Sequence, residues 1–169
     1  MKRFFHQRAY RKRLEQMVVS KRYEPSFKVT SLGVVLDEAL EINLQQIMSL
    51  GDFFNIKANK IQIMTVRRTV AQEENAMAAV LYPKEISFFG RLPDEIETCC
   101  AEEVDLLINM HQSNDLYLNW LSSAKKHRLS VGFLPTEKEL NDLIFAFSPQ
   151  EVDLLQMELK KYLQQLNRI

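Results

Sequence analysis

The stretch DLLINMHQSNDLYLNWLSSAKKHRLSVGF, residues 105–133, decides the fold of this chain. A short apolar run over 104–108 predicts a buried strand, and a second run over 130–133 predicts another. The segment between them, 114–127, has apolar side chains at helical spacing, and Asn114 is a residue type that favours the cap before a helix. A strand, a helix and a second strand in this order predict a parallel β-α-β unit. Residues 109–114 then form the turn at the carboxyl end of its first strand.

The rest of the chain shows the same alternation. Further strands are predicted at 32–36, 61–66, 85–89 and 143–147, and further helices at 2–21, 38–54, 94–102 and from Pro149 onward. Ser148, Pro149 and Glu151 have the pattern of a capping box at the start of the last helix. Residues 68–78 give no clear secondary structure. The pattern predicts an α/β protein, a three-layer Rossmann-like fold with a mostly parallel sheet of five or six strands and an added N-terminal basic helix.

Charge is divided unevenly along the chain. Residues 1–22 contain eight Lys or Arg and one acid, Glu15, which gives this segment a net charge of +7. The other residues contain fourteen Lys or Arg and twenty-one acids, so their net charge is −7 although the whole chain is neutral. We therefore divide the chain into a basic amphipathic helix, 1–22, and a single α/β domain, 23–169. We expect the helix to meet an acidic surface.

Three interpretations of the basic helix are open. The favoured one packs its apolar stripe on the acidic body or on a protein partner, including a second copy of the chain. A second places the helix on an anionic membrane, with Phe4, Phe5, Tyr10, Leu14 and Met17 in the interface. A third places it on RNA or DNA, where it contacts phosphates without sequence preference. In each case the docking side chains are Lys2, Arg3, Arg8, Arg11, Lys12 and Arg13.

A second group of polar residues follows the predicted strands. In a parallel sheet these positions meet at the carboxyl edge, where α/β proteins bind ligands. The candidate ligand-binding residues are Asp37, Glu38, Arg67, Arg68, Asn109 and His111. The arginines can clamp an anion, and His111 can be a general base, although a solvent-exposed turn histidine without such a role is more common. The alternative function is therefore a small-molecule-binding protein or an enzyme, with its catalytic residues unassigned.

Several classes of site are not indicated by the sequence. No strand leads into a glycine-rich phosphate-binding loop, and the three histidines lack metal-site spacing. The adjacent Cys99 and Cys100 are interpreted as reduced thiols. We therefore predict no cofactor and no metal. No apolar run reaches the roughly 18 residues of a membrane span, and the N-terminus lacks the apolar run of a signal peptide, so we expect a cytoplasmic protein that could sit at the inner face of the membrane.

Four segments carry a resemblance to known families: the basic N-terminal helix, LGVVLDEA at 32–39, EISFFGRLP at 85–93 and the unit at 105–133. Together they resemble a family of short, uncharacterised bacterial proteins, a domain of unknown function. The unit at 105–133 is also similar to a β-α-β unit in the N-terminal domain of heptosyltransferase-like glycosyltransferases, where a strand like DLLI precedes a helix ending in LSxAKxxxxVGF. This second resemblance implies the fold only, because the chain is too short for a second domain that would hold a nucleotide sugar. The favoured function is a non-catalytic interaction module that docks through its basic helix.

Overall fold

A computed structural model describes residues 1–20, 26–69 and 77–169 of the chain. These residues form a sheet of six strands: β1 (Leu32–Leu36), β2 (Ile61–Val66), β3 (Ala78–Leu81), β4 (Val104–Met110), β5 (His127–Phe133) and β6 (Leu143–Phe145). The same residues form five α-helices: α1 (Lys2–Ser20), α2 (Leu44–Phe53), α3 (Asp94–Ala101), α4 (Leu116–Ala124) and α5 (Val152–Gln165). All strand pairs are parallel. The predicted α/β fold, with its mostly parallel sheet and N-terminal helix, is confirmed.

The sheet extends in two directions from β1. The strand order is β3-β2-β1-β4-β5-β6, so the chain runs outward to β3 and then returns to β4 on the other side of β1. In this register, Val34 lies between Ile63 of β2 and Ile108 of β4. The order reverses at the carboxyl ends of β1 and β4, which is where open α/β sheets usually bind ligands. Asp37 and His111 directly follow these two strands.

Alternate residues of the central strands face two separate hydrophobic layers. On one face, Val34 and Ile108 pack with α2 and α5. On the other face, Val35 and Leu107 pack with α1, α3 and α4, and the indole of Trp120 in α4 is fully buried there. Because successive strand side chains point to opposite faces, a continuous apolar run fills both layers. The basic helix α1 thus contributes to one core layer of the protein.

The helix predicted at 38–54 begins later, at Leu44. Glu38–Leu40 forms one turn of 3₁₀-helix instead, and Glu41 then adopts a left-handed backbone conformation with a φ of 55°. Asn43 starts α2 with a capping box, in which its side chain accepts a hydrogen bond from Gln46 N and the Gln46 side chain accepts one from Asn43 N. Apolar periodicity located this helix, but the reciprocal cap decides where it begins.

The strand predicted at 85–89 is wrong. The edge strand is β3, part of which lies in the stretch 68–78 that had no prediction, while residues 70–76 lie outside the described part of the chain. Pro83–Glu85 is a 3₁₀ turn, and in the loop that follows Ile86 is buried whereas Phe88 and Phe89 are exposed. Aromatic residues favour strands only where a pleated, half-buried surface accepts them. Residues 85–89 do not join the described sheet, so the aromatic pair lies in a loop and not on such a surface.

The unit at 105–133 folds as predicted, with shifted boundaries. β4 is longer than expected, so Asn109 belongs to the strand and not to the turn. Asp115, rather than Asn114, caps α4, because its Oδ1 accepts hydrogen bonds from Tyr117 N at 2.9 Å and Leu118 N at 3.1 Å. Sequence patterns alone do not distinguish two adjacent residues that are both good caps.

Other element ends differ by a few residues. α4 ends before the predicted limit at 127, and His127 already belongs to β5. β6 is shorter than predicted, and α5 begins at Val152 rather than at Pro149. Ser148 N donates a hydrogen bond to Glu151 Oε2 at 3.1 Å, which is one half of the predicted capping box. The prediction that Ser148 is the cap of the last helix is wrong, because Glu151 is the residue that precedes its first regular turn.

Candidate functional site

The carboxyl edge of the sheet brings predicted ligand-binding residues together, but it pairs them with acids of the chain. Arg67 follows β2, and Glu38 follows the neighbouring strand β1. Arg67 Nε lies 2.9 Å from each carboxylate oxygen of Glu38, and Arg67 Nη2 lies 2.6 Å from Oε1. Hydrogen bonding to Glu38 raises the pKa of Arg67. The guanidinium therefore already holds a carboxylate in the bidentate geometry that an anionic ligand would use.

Arg68 forms a second ion pair at this edge. Its Nη2 lies 2.5 Å from Oδ2 of Asp115, the cap of α4. Burial acts to raise the pKa of Asp115, but hydrogen bonds from Arg68 and from the backbone of Leu118 and Tyr117 outweigh it and lower the pKa. Asp115 was not among the predicted site residues, although an acid directly before a helix is a recognisable cap signal. The Arg68 side chain remains 67% exposed, so it is accessible at one end of a formed pair.

Asp37 closes the turn after β1. Its Oδ1 accepts a hydrogen bond from Ala39 N at 3.0 Å, and its own N donates to Met110 O at 3.0 Å. Ser113 Oγ lies 3.5 Å from the other carboxylate oxygen, at the limit of a hydrogen bond. These contacts make Asp37 the cap of the short 3₁₀ turn that follows it.

His111 is fully buried behind the edge. Its Nε2 lies 2.9 Å from Ser122 Oγ, and that hydroxyl donates a hydrogen bond to Leu118 O within α4. Burial lowers the pKa of His111 to about 4, in spite of an opposing effect of Asp37. The serine and histidine have the separation of a nucleophile and its base, but both are buried and neither is open to a substrate. The interpretation of His111 as a solvent-exposed turn residue is wrong, because the turn folds inward onto α4.

Asn109 belongs to a buried amide network. Its Nδ2 donates to Asn141 Oδ1 at 2.8 Å, and Asn141 Nδ2 donates to Thr136 Oγ1 at 3.2 Å. The network connects β4 with the segment between β5 and β6. Gly132 makes room for it, since a Cβ at this position would lie 2.3 Å from the Asn141 side chain. Asn109 therefore contacts the interior of the protein and not the surface of the edge.

The space that the described residues leave beside Glu38 at the carboxyl edge is small. A cavity of about 180 Å³ lies beside Glu38, and most of its lining is apolar: Leu36, Ile42, Leu44, Ile47, Ile63 and Ala78. Pockets for drug-sized ligands usually enclose roughly 300 Å³ or more. Within residues 1–20, 26–69 and 77–169, no three His, Cys, Asp or Glu side chains are grouped to hold a metal ion. The described part of the edge thus consists of paired or buried polar groups around a small apolar space.

The inner side of α1 is anchored to the body through His6. This side chain is buried, with Nε2 at 2.9 Å from Ser87 O and Nδ1 at 3.3 Å from Tyr117 OH. Its ring also meets the Trp120 ring edge-to-face, with the centroids 5.6 Å apart. These contacts tie α1 both to α4 and to the loop before α3.

Tyr10 and Leu14 continue this anchored side and are buried in the core layer that α3 and α4 share. Tyr10 OH donates to Glu137 Oε2 at 2.6 Å, and burial together with this hydrogen bond raises the pKa of Tyr10. Met17 packs against the same layer. The expectation that these three side chains enter a membrane interface is therefore wrong, because they pack against the protein's own core. The division of the chain after residue 22 stays a prediction.

The outer side of α1 carries five of the six predicted docking residues in exposed positions: Lys2, Arg3, Arg8, Arg11 and Lys12. The sixth, Arg13, is half-buried. Arg11 pairs with Glu137 at 3.3 Å, while its side chain stays 57% exposed. Arg3, Arg8 and Lys12 form no ion pair with any residue in the described part of the chain. The outer side of α1 thus presents cations whose charge the described residues leave largely unneutralised.

Four phenylalanine rings lie together at the N-terminal end of α1. We define the aromatic cluster as Phe4, Phe5, Phe88 and Phe89. The ring centroids are 5.9 Å apart between Phe4 and Phe5, 4.7 Å between Phe5 and Phe88, and 5.4 Å between Phe88 and Phe89. Phe4 and Phe5 were expected at an interface only in the membrane interpretation of the basic helix, and 85–89 was predicted to be a strand. The sequence does contain a signal for this cluster, because each Phe-Phe pair is next to basic residues, in KRFF and FFGR.

Lys125 is a buried cation that the sequence analysis also missed. Its Nζ donates to Cys99 O at 2.7 Å, to Glu102 O at 2.5 Å and to Gln62 Oε1. Burial lowers the pKa of Lys125. The ammonium group binds carbonyl oxygens at the C-terminal end of α3, where a cation also suits the helix dipole. All three of its protons are engaged, which indicates a structural role and not a nucleophilic one.

Comparison with known proteins complements this geometry. No curated protein and no solved structure matches the chain. None of the helices in the described residues is long and apolar enough to cross a membrane. A family model matches residues 2–166, which include α1 as well as the α/β body, and this confirms the resemblance to a domain of unknown function. The chain therefore belongs to DUF6913, a family of unknown function.

Proposed function

We propose that this protein is a non-catalytic interaction module that binds an acidic surface through the outer side of α1. The observation that carries the proposal is the sidedness of this helix. Its inner side is closed into the core by His6, Tyr10 and Leu14, whereas Arg8 and Lys12 on the other side are exposed and make no ion pair within the described residues.

The cations of α1 are held close together by the helix. Arg8 and Lys12 are four residues apart and so lie on one face, where like charges destabilise a helix by about 0.2–0.5 kcal/mol per pair. Arg11 adds a third exposed cation next to them. The only acid among residues 2–20 is Glu15. A bound anionic surface would relieve this repulsion, and the helix would need no rearrangement to meet it.

The alternative function, a small-molecule site or an enzyme at the carboxyl edge, has weaker support. Arg67 is paired with Glu38, and Asn109 and His111 are buried. Arg68, at 67% exposure, is the residue that would contact a ligand there. The bacterial origin, the cytoplasmic location and the likeness of 105–133 to glycosyltransferases stay predictions.

The test uses charge reversal, because removal of α1 would also remove Tyr10 and Leu14 from the core. The double variant Arg8→Glu/Lys12→Glu should elute from a heparin column at lower salt than the unmodified protein, since fewer cations contact the polyanion. Lys57→Glu/Lys60→Glu is the matched control, because it changes the same charge at exposed positions between α2 and β2. If the two double variants eluted together, the proposal would be overturned. Circular dichroism would verify that both are folded.

A further inference from the structure

The loop between β3 and α3 holds two phenylalanines out of the protein. Ser87 N donates to Arg91 O at 2.9 Å, and Arg91 N donates to Ser87 Oγ at 2.8 Å, so the two ends of the loop are closed together. Phe88 and Phe89 lie at its tip and are 42% and 83% exposed. A closed loop of this kind presents its tip residues without a large loss of chain entropy on binding.

The body fixes the position of this loop. Ser87 O is the acceptor of the hydrogen bond from His6 in α1. Gly90 has a φ of 87°, and a Cβ there would lie 2.6 Å from Ala9 Cβ and 3.0 Å from the Trp120 ring. Only glycine fits both the backbone angle and this close approach. The loop and the first turns of α1 are therefore one rigid surface.

This surface is apolar at its centre. Phe4 is 65% exposed and joins Phe88 and Phe89 through the ring of Phe5. Full burial of one such side chain would stabilise a protein by about 1.5–3 kcal/mol, yet Phe4 and Phe89 remain largely in water and Phe88 is partly exposed. Contiguous exposed apolar groups of this kind mark sites that contact another surface.

Basic residues stand around the aromatic cluster. Lys2 and Arg3 belong to the same turn of α1 as Phe4, and Lys2 Nζ donates to Lys84 O at 3.2 Å, which brings Lys84 beside them. Arg91 follows the loop and is paired with Asp94, with 70% of its side chain exposed. Glu85 and Glu95 are also exposed acids of this segment. The surroundings of the aromatic cluster are therefore cationic on balance.

We propose that the aromatic cluster inserts into the interfacial region of an anionic lipid bilayer while the cations of α1 contact the headgroups. This inference rests on the proposed function and names its partner. Exposed aromatic rings beside Lys and Arg are the combination that binds membrane surfaces, through apolar insertion and attraction to anionic lipid. A second copy of the chain is the less favourable occupant, because a symmetric contact would place Lys2, Arg3 and Lys84 against their own counterparts.

The test measures sedimentation of the full-length protein with vesicles. We expect binding to vesicles of phosphatidylcholine mixed with an equal part of phosphatidylglycerol, and little binding to pure phosphatidylcholine. Phe89→Ser should lower the partition coefficient of the protein between vesicles and solution about tenfold, since it removes one inserted ring. Phe53→Ser is the matched control, because Phe53 is 41% exposed on α2, in the other helical layer, and should leave vesicle binding unchanged.

The heparin experiment separates the two proposals. Retention on heparin that depends on Arg8 and Lys12, without binding to anionic vesicles, would overturn the membrane inference and leave the proposed function standing. If heparin retention did not depend on Arg8 and Lys12, and the protein did not bind anionic vesicles, both proposals would be overturned. Vesicle binding that Phe89→Ser leaves intact would show that the aromatic cluster does not insert. A dimer that Phe89→Ser dissociates, together with absent vesicle binding, would assign the cluster to self-association.

Discussion

The carboxyl edge of the sheet and the outer side of α1 both carry several cations, but the described residues pair both arginines of the edge and leave most cations of α1 unpaired. At the edge, Arg67 and Arg68 each meet an acid from a different element, Glu38 and Asp115. On α1, the cations at one helical face have neighbours of the same sign, and within the described residues only Arg11 forms an ion pair with an acid of the body. The comparison shows that pairing depends on which elements the topology brings side by side.

The pairing of the edge arginines makes ligand binding less favourable at the edge than at α1. A paired arginine must lose its partner before it can hold a ligand, and that loss offsets the energy of the new contact. An exposed, unpaired cation has no such cost beyond its own hydration. The edge therefore lies where α/β proteins usually bind ligands, whereas α1 carries the exposed cations that form no ion pair within the described residues.

The largest expected effect concerns the two sides of α1. Leu14→Ala should lower the free energy of unfolding by about 3 kcal/mol, because Leu14 is 5% exposed and its removal leaves a cavity in the core layer. Val19→Ala, at a position 86% exposed, should change it by less than about 0.5 kcal/mol. Urea denaturation measures both. Equal effects would show that α1 is not part of the cooperative core, and the sidedness that supports the proposed function would be lost.

The next effect concerns His111 at the edge. Its pKa is about 4 in the folded protein, below the value of about 6.5 expected in the unfolded chain. The unfolded state therefore binds more protons, so stability from the neutral imidazole is present above about pH 6.5 and is lost as pH falls towards 4. Between pH 7 and pH 5 this loss should be about 2 kcal/mol, and His111→Gln should remove that part of the pH dependence. An unchanged pH dependence in His111→Gln urea titrations would contradict the buried, neutral assignment.

The smallest effect compares one arginine from each region. Arg67→Met should lower stability by about 1 kcal/mol, because it leaves Glu38 without its bidentate partner. Arg8→Met should leave stability unchanged or raise it slightly, since it relieves repulsion with Lys12. Thermal unfolding at low and high salt measures both, and salt should reduce the Arg67 effect. A larger loss for Arg8 than for Arg67 would reverse the comparison between the two regions.

Much of the fold could be predicted from the sequence, because apolar periodicity is a local property. The run LGVVL and the unit at 105–133 have unambiguous patterns, and the structure confirms them as β1 and as β4-α4-β5. The strand predicted at 85–89 failed because its aromatic residues have strand propensity but no partner strand. β3 was missed because AAVL is short and follows a polar stretch.

The candidate site was less predictable than the fold. Sequence order alone placed Asp37, Glu38, Arg67 and Arg68 at one edge, and they do lie there. It did not indicate that Glu38 would bind Arg67, or that His111 and Asn109 would turn into the interior, because these contacts join residues far apart in the chain. The aromatic cluster has the same origin, since its rings come from α1 and from the loop before α3.

The sequence by itself determined the alternation of strands and helices, the parallel sheet and the concentration of positive charge in the first residues, because these follow from local pattern and composition. Tertiary structure alone decided which cations are neutralised and which exposed rings adjoin them. Those properties depend on distances between elements that are remote in sequence, such as the hydrogen bond from His6 to Ser87 that sets α1 beside its aromatic loop.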